Sequence, residues 1–128
     1  MSNKKRILLV DDEGKFVVAL KIRLEKSGYQ VSQAYDGEEA LSKARSEDPD
    51  LIILDLMLPK VDGFMICSLL KKDDRYKHIP IIICSSRIRE EDKELGRKVG
   101  ADAYITKPFD SQDLMDTIKR LLSGNKPS

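Results

Sequence analysis

The chain predicts an α/β domain in which a doubly wound parallel sheet carries helices on both faces, and three observations lead there. Short apolar runs alternate with longer segments whose apolar residues recur at helical spacing, the pattern of repeated βα units. The runs Ile7–Val10, Leu51–Leu54 and Ile81–Cys84 are unbroken by polar residues, as strands covered on both faces require. Short loops join the segments, which suits right-handed crossovers between parallel neighbours.

Each element has its own signal. Ile7–Val10 is the first strand. Lys15–Lys26 follows as a helix with Val17, Leu20, Ile22 and Leu24 among charges, and Gly28 stands where a C-cap is expected. Gln30–Ala34 is a more polar strand, suited to a sheet edge. Asp36-Gly37 turns into a helix over Glu38–Glu47 that directs Ala40, Leu41 and Ala44 inward. Pro49-Asp50 punctuates before the central strand Leu51–Leu54. The loop Pro59–Gly63 leads into Phe64–Lys71, with Ile66, Leu69 and Leu70 toward the core. Pro80 opens Ile81–Cys84. Glu90–Val99 has little to bury beyond Leu95 and Val99, and is the helix expected to be held least firmly. Gly100–Asp102 turns into the strand Ala103–Thr106. Asp110 or Ser111 caps the last helix, where Leu114, Ile118, Leu121 and Leu122 share a face. One domain is expected over residues 1–123, with 124–128 a flexible tail or the start of a linker.

Composition narrows the function. With 128 residues, 23 Lys and Arg against 22 Asp and Glu leave a formal charge of +1, so no nucleic-acid footprint is expected. Met1–Arg6 is polar and the apolar run after it is short, so neither a secretory leader nor membrane insertion is expected, and the cytoplasm is the expected compartment. Cys67 and Cys84 lack CxxC spacing and lie in apolar segments, which reads as structural. His78, the only histidine, lies in a loop and reads as solvated or structural. No GxGxxG or GxxxxGK[ST] loop supports a dinucleotide or P-loop site.

The chemistry lies at strand ends. Asp11 and Asp12 close the first run, Asp55 closes the third, and Lys107 follows the fifth, directly before Pro108. Parallel strands bring their carboxyl ends to one sheet edge, where ligand sites form. Three carboxylates crowded there need a cation or a proton. A hard divalent ion with oxygen ligands meets that need, and Mg2+ chemistry commonly involves phosphoryl groups.

From Arg6 to Leu122 the chain resembles the receiver (CheY-like) domain of bacterial two-component response regulators. The resemblance rests on Asp11-Asp12-Glu13, on Asp55 within Leu54–Pro59, and on Asp62-Gly63, Ser85-Ser86 and Lys107-Pro108-Phe109. It implies a five-stranded sheet of order 2-1-3-4-5, an arrangement for which the chemotaxis receiver is itself a standard example. It implies that Asp55 accepts a phosphoryl group from a sensor histidine kinase or a histidine phosphotransfer protein, giving an acyl phosphate. Asp12, Asp55 and the backbone carbonyl of Met57 would bind Mg2+ directly, and Asp11 through water. Lys107, Ser85, the backbone N–H of Ser86 and Met57 would surround the phosphoryl group, with Asp12 among the catalytic residues. Ser85 and Tyr104 would be the switch, and Lys107-Pro108 would be cis. Such a protein catalyses its own phosphorylation and dephosphorylation but is mainly a signalling device. Its output face would combine the fourth helix, fifth strand and fifth helix, meeting an effector protein or a second copy after phosphorylation.

Some positions keep a second reading. Tyr104 also suits simple packing at a sheet edge. Glu13 assists metal hydration or caps the first helix, and Asp62-Gly63 suits a turn and cap better than a ligand. The run Arg87–Lys98 suits a solvated helix face or a partner surface. Ala103 stands where many DNA-binding regulators carry an acid, which weakens the expectation of their charged dimer face. Met57 and Arg87 occupy positions that tune acyl-phosphate lifetime in the family, and an apolar Met57 with a covering Arg87 points to minutes or longer. A free-standing regulator is the simpler account; the N-terminal receiver of a longer DNA-binding or enzymatic regulator would look much the same. A flavin carrier is disfavoured because Asp11-Asp12-Glu13 would repel a flavin phosphate. An aspartyl phosphatase would place an acid where Met57 stands. A non-catalytic interaction module would not need the whole constellation.

Overall fold

The computed structural model describes residues 4–12, 14–58 and 61–124; the expectations for Glu13, for Pro59-Lys60 and for the tail at 125–128 lie outside the described residues. The elements run β1 (Arg6–Val10), α1 (Gly14–Lys26), β2 (Gln30–Ala34), α2 (Gly37–Glu47), β3 (Leu51–Asp55), α3 (Gly63–Lys72), β4 (Ile81–Ser85), α4 (Glu90–Lys98), β5 (Ala103–Thr106) and α5 (Ser111–Leu122). Five parallel strands pair in the order β2-β1-β3-β4-β5, with β2 and β5 at the edges.

The unbroken apolarity of β1, β3 and β4 follows from the period of two in an extended chain, which sends successive side chains to opposite faces. Ile7, Leu9, Leu51, Ile53, Ile82 and Cys84 pack with Val17, Leu20 and Leu24 of α1 and with Leu114, Ile118 and Leu121 of α5. Leu8, Val10, Ile52, Leu54 and Ile81 pack on the other face with Ala40 and Ala44 of α2 and Ile66, Cys67 and Leu70 of α3. Ile83 joins Leu56 and Phe64 in a smaller cluster that Tyr104 flanks.

Two inward expectations are corrected. Leu69 is 45% exposed, because the buried stripe of α3 runs through Gly63, Ile66, Cys67 and Leu70 and leaves position 69 beside it. Leu95 is 42% exposed, because the buried residue of α4 is its neighbour Gly96. Gly28 takes a left-handed φ of 97° after α1, the C-terminal role expected of it. Gly37 is the first residue of α2 rather than part of a turn, with Asp36 as N-cap accepting from the Glu39 N–H at 2.8 Å. At the opposite edge from the acids, Lys71 donates to Asp102 at 2.8 Å and to the Ile79 carbonyl at 2.7 Å, while Asp102 accepts from Ile81 N–H at 2.8 Å. That ammonium ties α3 to the starts of β4 and β5.

Gly63 sets how closely α3 approaches the end of β3. A Cβ there would stand 2.7 Å from both the Asp55 carbonyl oxygen and the Leu56 Cα. These are backbone atoms, so the helix itself would have to retreat. Gly63→Ala should therefore destabilise the fold by roughly 1–3 kcal/mol in urea unfolding, and an unchanged midpoint would contradict the close approach.

Candidate metal centre

The alternation that builds the core also builds the site. Asp11 continues the series Ile7, Leu9; Asp55 continues Leu51, Ile53; and Lys107 continues Ala103, Ile105, all on the α1–α5 face. The ladder extends to these residues, since Asp11 N–H donates to the Ala34 carbonyl at 3.1 Å and Lys107 N–H to the Ser85 carbonyl at 2.8 Å. One carboxylate oxygen from each of Asp11, Asp12 and Asp55 lies within 4.8 Å of the others. Asp11 and Asp55 are buried and Asp12 is exposed. Lys107, after a cis peptide to Pro108, donates its ammonium to Asp11 Oδ2 at 2.9 Å. The first, third and fifth strands thus deliver the expected residues to one place.

Burial pushes the Asp55 carboxyl above the usual carboxylate range. The Lys107 ammonium and the Met57 N–H oppose the shift, and Asp11 and Asp12 add to it. The Met57 N–H donates to Asp55 Oδ1 at 3.2 Å. Three formal carboxylates against one ammonium leave two negative charges. A divalent cation closes that balance, and an all-oxygen donor set suits a hard ion such as Mg2+. The cluster is thus a site that fits Mg2+, with Asp11, Asp12 and Asp55 as its carboxylate holders. A cleft of about 660 Å3 opens beside it, lined by Asp12, Asp55, Met57, Ser86 and Lys107, and farther out by Phe16, Leu20, Arg23 and Phe109.

Ser85 and Tyr104 sit differently. Ser85 is fully buried in β4, its hydroxyl accepting from the Arg87 N–H at 3.1 Å, whereas Ser86 is exposed and lines the cleft. Tyr104 O–H donates to the Arg87 carbonyl at 2.8 Å. Burial raises its phenol pKa, and hydrogen bonding to Ser85 opposes that. The Arg87 guanidinium reaches Met57 Sδ at 3.2 Å and stands 3.9 Å from Asp92. The Met57 side chain is exposed at the mouth of the cleft. Asp62 is the N-cap of α3, accepting from Phe64 N–H at 2.7 Å. Burial pushes the Cys67 and Cys84 thiols up to about 12, which leaves them inert as nucleophiles, and His78 is exposed.

Phe16 is the site residue that sequence reasoning missed. Its ring centroid lies 4.2 Å from the Lys107 ammonium, and it meets Phe109 edge-on at 5.7 Å and 87°. The available signal was compositional: the chain has three Phe, and two of them meet here.

Comparison with known proteins agrees with this geometry. The family model described as the response regulator receiver domain matches residues 7–119. The chain is similar to the alkaline phosphatase synthesis transcriptional regulatory protein PhoP of Bacillus subtilis, with 48% identity over 92% of this chain and 48% of that protein. It is also similar to protein PilH of Pseudomonas aeruginosa, with 40% identity over 93% of this chain and 98% of that one. A response regulator structure from Chloroflexus aurantiacus aligns with a TM-score of 0.90 and 32% identity, covering 94% of this chain and 99% of that chain. The chain spans about half the length of the first curated relatives it matches.

The raised Asp55 pKa has a consequence for stability. At pH above the raised value the group is charged in both folded and unfolded states, and folding carries the full cost of burying it. Below the ordinary carboxylate range it is protonated in both states and the cost vanishes. Asp55→Asn should therefore raise the melting temperature at pH 7 in Mg2+-free buffer, with the gain shrinking as pH falls through the range between the two values. A melting temperature at pH 7 equal to or below that of the parent would refute the crowding argument.

Proposed function

The chain belongs to the response regulator receiver family, and on that premise we propose that Asp55 accepts a phosphoryl group from a histidine kinase or histidine phosphotransfer protein. The observation that carries the reading is the meeting of Asp11, Asp12 and Asp55 within 4.8 Å beside the Lys107 ammonium. An Asp55 oxygen attacks the phosphorus of a phosphohistidine, the P–N bond breaks with its electron pair going to the imidazole, and an acyl phosphate remains on Asp55. A bound Mg2+ supplies positive charge that offsets both the carboxylates and the phosphoryl oxygens. Lys107, held at Asp11, faces the incoming oxygens as a compact charge on a flexible stem. The Ser86 N–H at the cleft wall and the Ser85 hydroxyl behind it complete the donors, with Met57 bracing Asp55 through its N–H.

The signal leaves the site through Ser85 and Tyr104, whose side chains have the opposite strand parity to Asp55 and Lys107. Ser85 and Tyr104 both contact the backbone of Arg87, so a Ser85 hydroxyl drawn toward a phosphoryl oxygen loosens the loop that holds the tyrosine and the start of α4. A change from 1% to 99% active requires phosphorylation to favour that state by about 5.5 kcal/mol. The output surface in this reading is α4, β5 and α5, met by an effector protein or a second copy. Residues 1–123 are the receiver in this reading, and its location is the cytoplasm; Cys67 and Cys84 are unpaired and buried, and among the described residues no helix is long and apolar enough to cross a membrane. The chain matches protein PilH over 98% of that protein and the alkaline phosphatase synthesis transcriptional regulatory protein PhoP over 48% of that one.

Incubation with Mg2+ and acetyl phosphate, followed by mass mapping, should place one phosphoryl group on Asp55 and none in Asp55→Ala. A mass increase that survives the substitution would reject the assignment. The Arg87–Met57 contact over the cleft mouth is expected to hinder hydrolytic water, giving an acyl phosphate that lasts minutes or longer. Decay complete within seconds in the isolated protein would reject that role.

A further inference from the structure

The amine at the site is held by more than charge. Lys107 Nζ lies 4.2 Å from the Phe16 ring centroid, well inside the ~6 Å range in which an aromatic face attracts a cation. The ring is braced: Phe109 meets it at 5.7 Å with an interplanar angle of 87°, an edge-to-face arrangement that fixes ring orientation. Phe109 follows Lys107 by two residues, so one loop supplies both the amine and the brace, while α1 supplies the ring. The Lys107 side chain is only 13% exposed, which leaves its ammonium poorly hydrated.

We propose that Phe16 is a positioning residue for Lys107, holding the ammonium beside the carboxylates without neutralising it, so that the charge can pass from Asp11 to an oxygen of the incoming phosphoryl group. This rests on the reading in which Lys107 meets that group. A second carboxylate at position 16 would anchor the amine as well, but it would compete with the phosphoryl oxygens for the same protons. A π face attracts the cation through its quadrupole and accepts no full hydrogen bond, so the ammonium keeps its donors directed toward the oxygens. A lysine stem has many rotamers, and an aromatic wall along it reduces the number that must be lost when the phosphoryl group arrives. Leucine at position 16 would fill the space beside Leu20 and Phe109 but offer no quadrupole. The role is thus electrostatic and separable from packing.

The test separates these contributions. Phenylalanine bearing one, two and three ring fluorines is incorporated at position 16, which weakens the negative face with little change in shape. The initial rate of Asp55 phosphorylation by acetyl phosphate is measured at saturating Mg2+. The rate should fall stepwise along the series, reaching about 3- to 10-fold with three fluorines. In the unphosphorylated protein the Lys107 ε-methylene protons should resonate upfield, displaced by the ring current, and return toward the ordinary position in Phe16→Leu. A flat rate series while Lys107→Ala slows phosphorylation would overturn the inference about Phe16 alone. Unshifted ε-methylene resonances in the parent protein would do the same. If Lys107→Ala is phosphorylated at the parent rate, the reading beneath fails and takes the inference with it.

Discussion

The whole site depends on crowding like charges at the carboxyl edge of a sheet whose strands must alternate. Because the period of two continues one step past the apolar residues, Asp11, Asp55 and Lys107 leave the sheet on the same face as the core residues before them. The strands cannot converge without bringing the carboxylates together, and the buried Asp55 carries the cost as a raised pKa. That unfavourable arrangement makes the edge receptive to a cation and to chemistry that consumes negative charge.

The same alternation sends the site residues and the switch residues to different faces of the sheet. Asp11, Asp55, Lys107, Phe16 and Phe109 lie toward α1 and α5, while Tyr104 lies with Ile83, Leu56 and Phe64 toward α3 and α4, and Ser85 shares the parity of Ile83. Arg87 stands at the junction: its N–H donates to Ser85, its carbonyl accepts from Tyr104, and its guanidinium reaches over to Met57. One residue of the β4–α4 loop therefore meets the Ser85 hydroxyl, the Tyr104 hydroxyl and Met57 at the cleft mouth, so hydrogen bonds through a single residue link the two faces.

Much of this was legible in the sequence because strand burial and strand-end chemistry are local. Unbroken runs such as Ile81–Cys84 declare a doubly covered strand, and an acid or lysine directly after such a run must emerge at the sheet edge. What could not be read depends on where segments distant in sequence meet. Leu69 and Leu95 are apolar and near the right spacing, yet adjacent Cys67, Leu70 and Gly96 take the buried positions because the helices are rotated by their contacts. Gly63 looked like a turn residue and proves to be where α3 presses on the backbone of β3. Phe16 gave no local signal of its role, since its partners at 107 and 109 lie almost a full chain away.

The contact between α4 and β5 has a mechanical meaning. Gly96 is the buried residue of α4, and a Cβ there would approach Tyr104 Cδ2 to 3.1 Å. A helix that seats no side chain of its own in the interior surrenders almost no apolar area when it slides. Its resting place therefore depends on the few side chains beneath it, Tyr104 first and Ile83 beside it, like a plank laid across two stones.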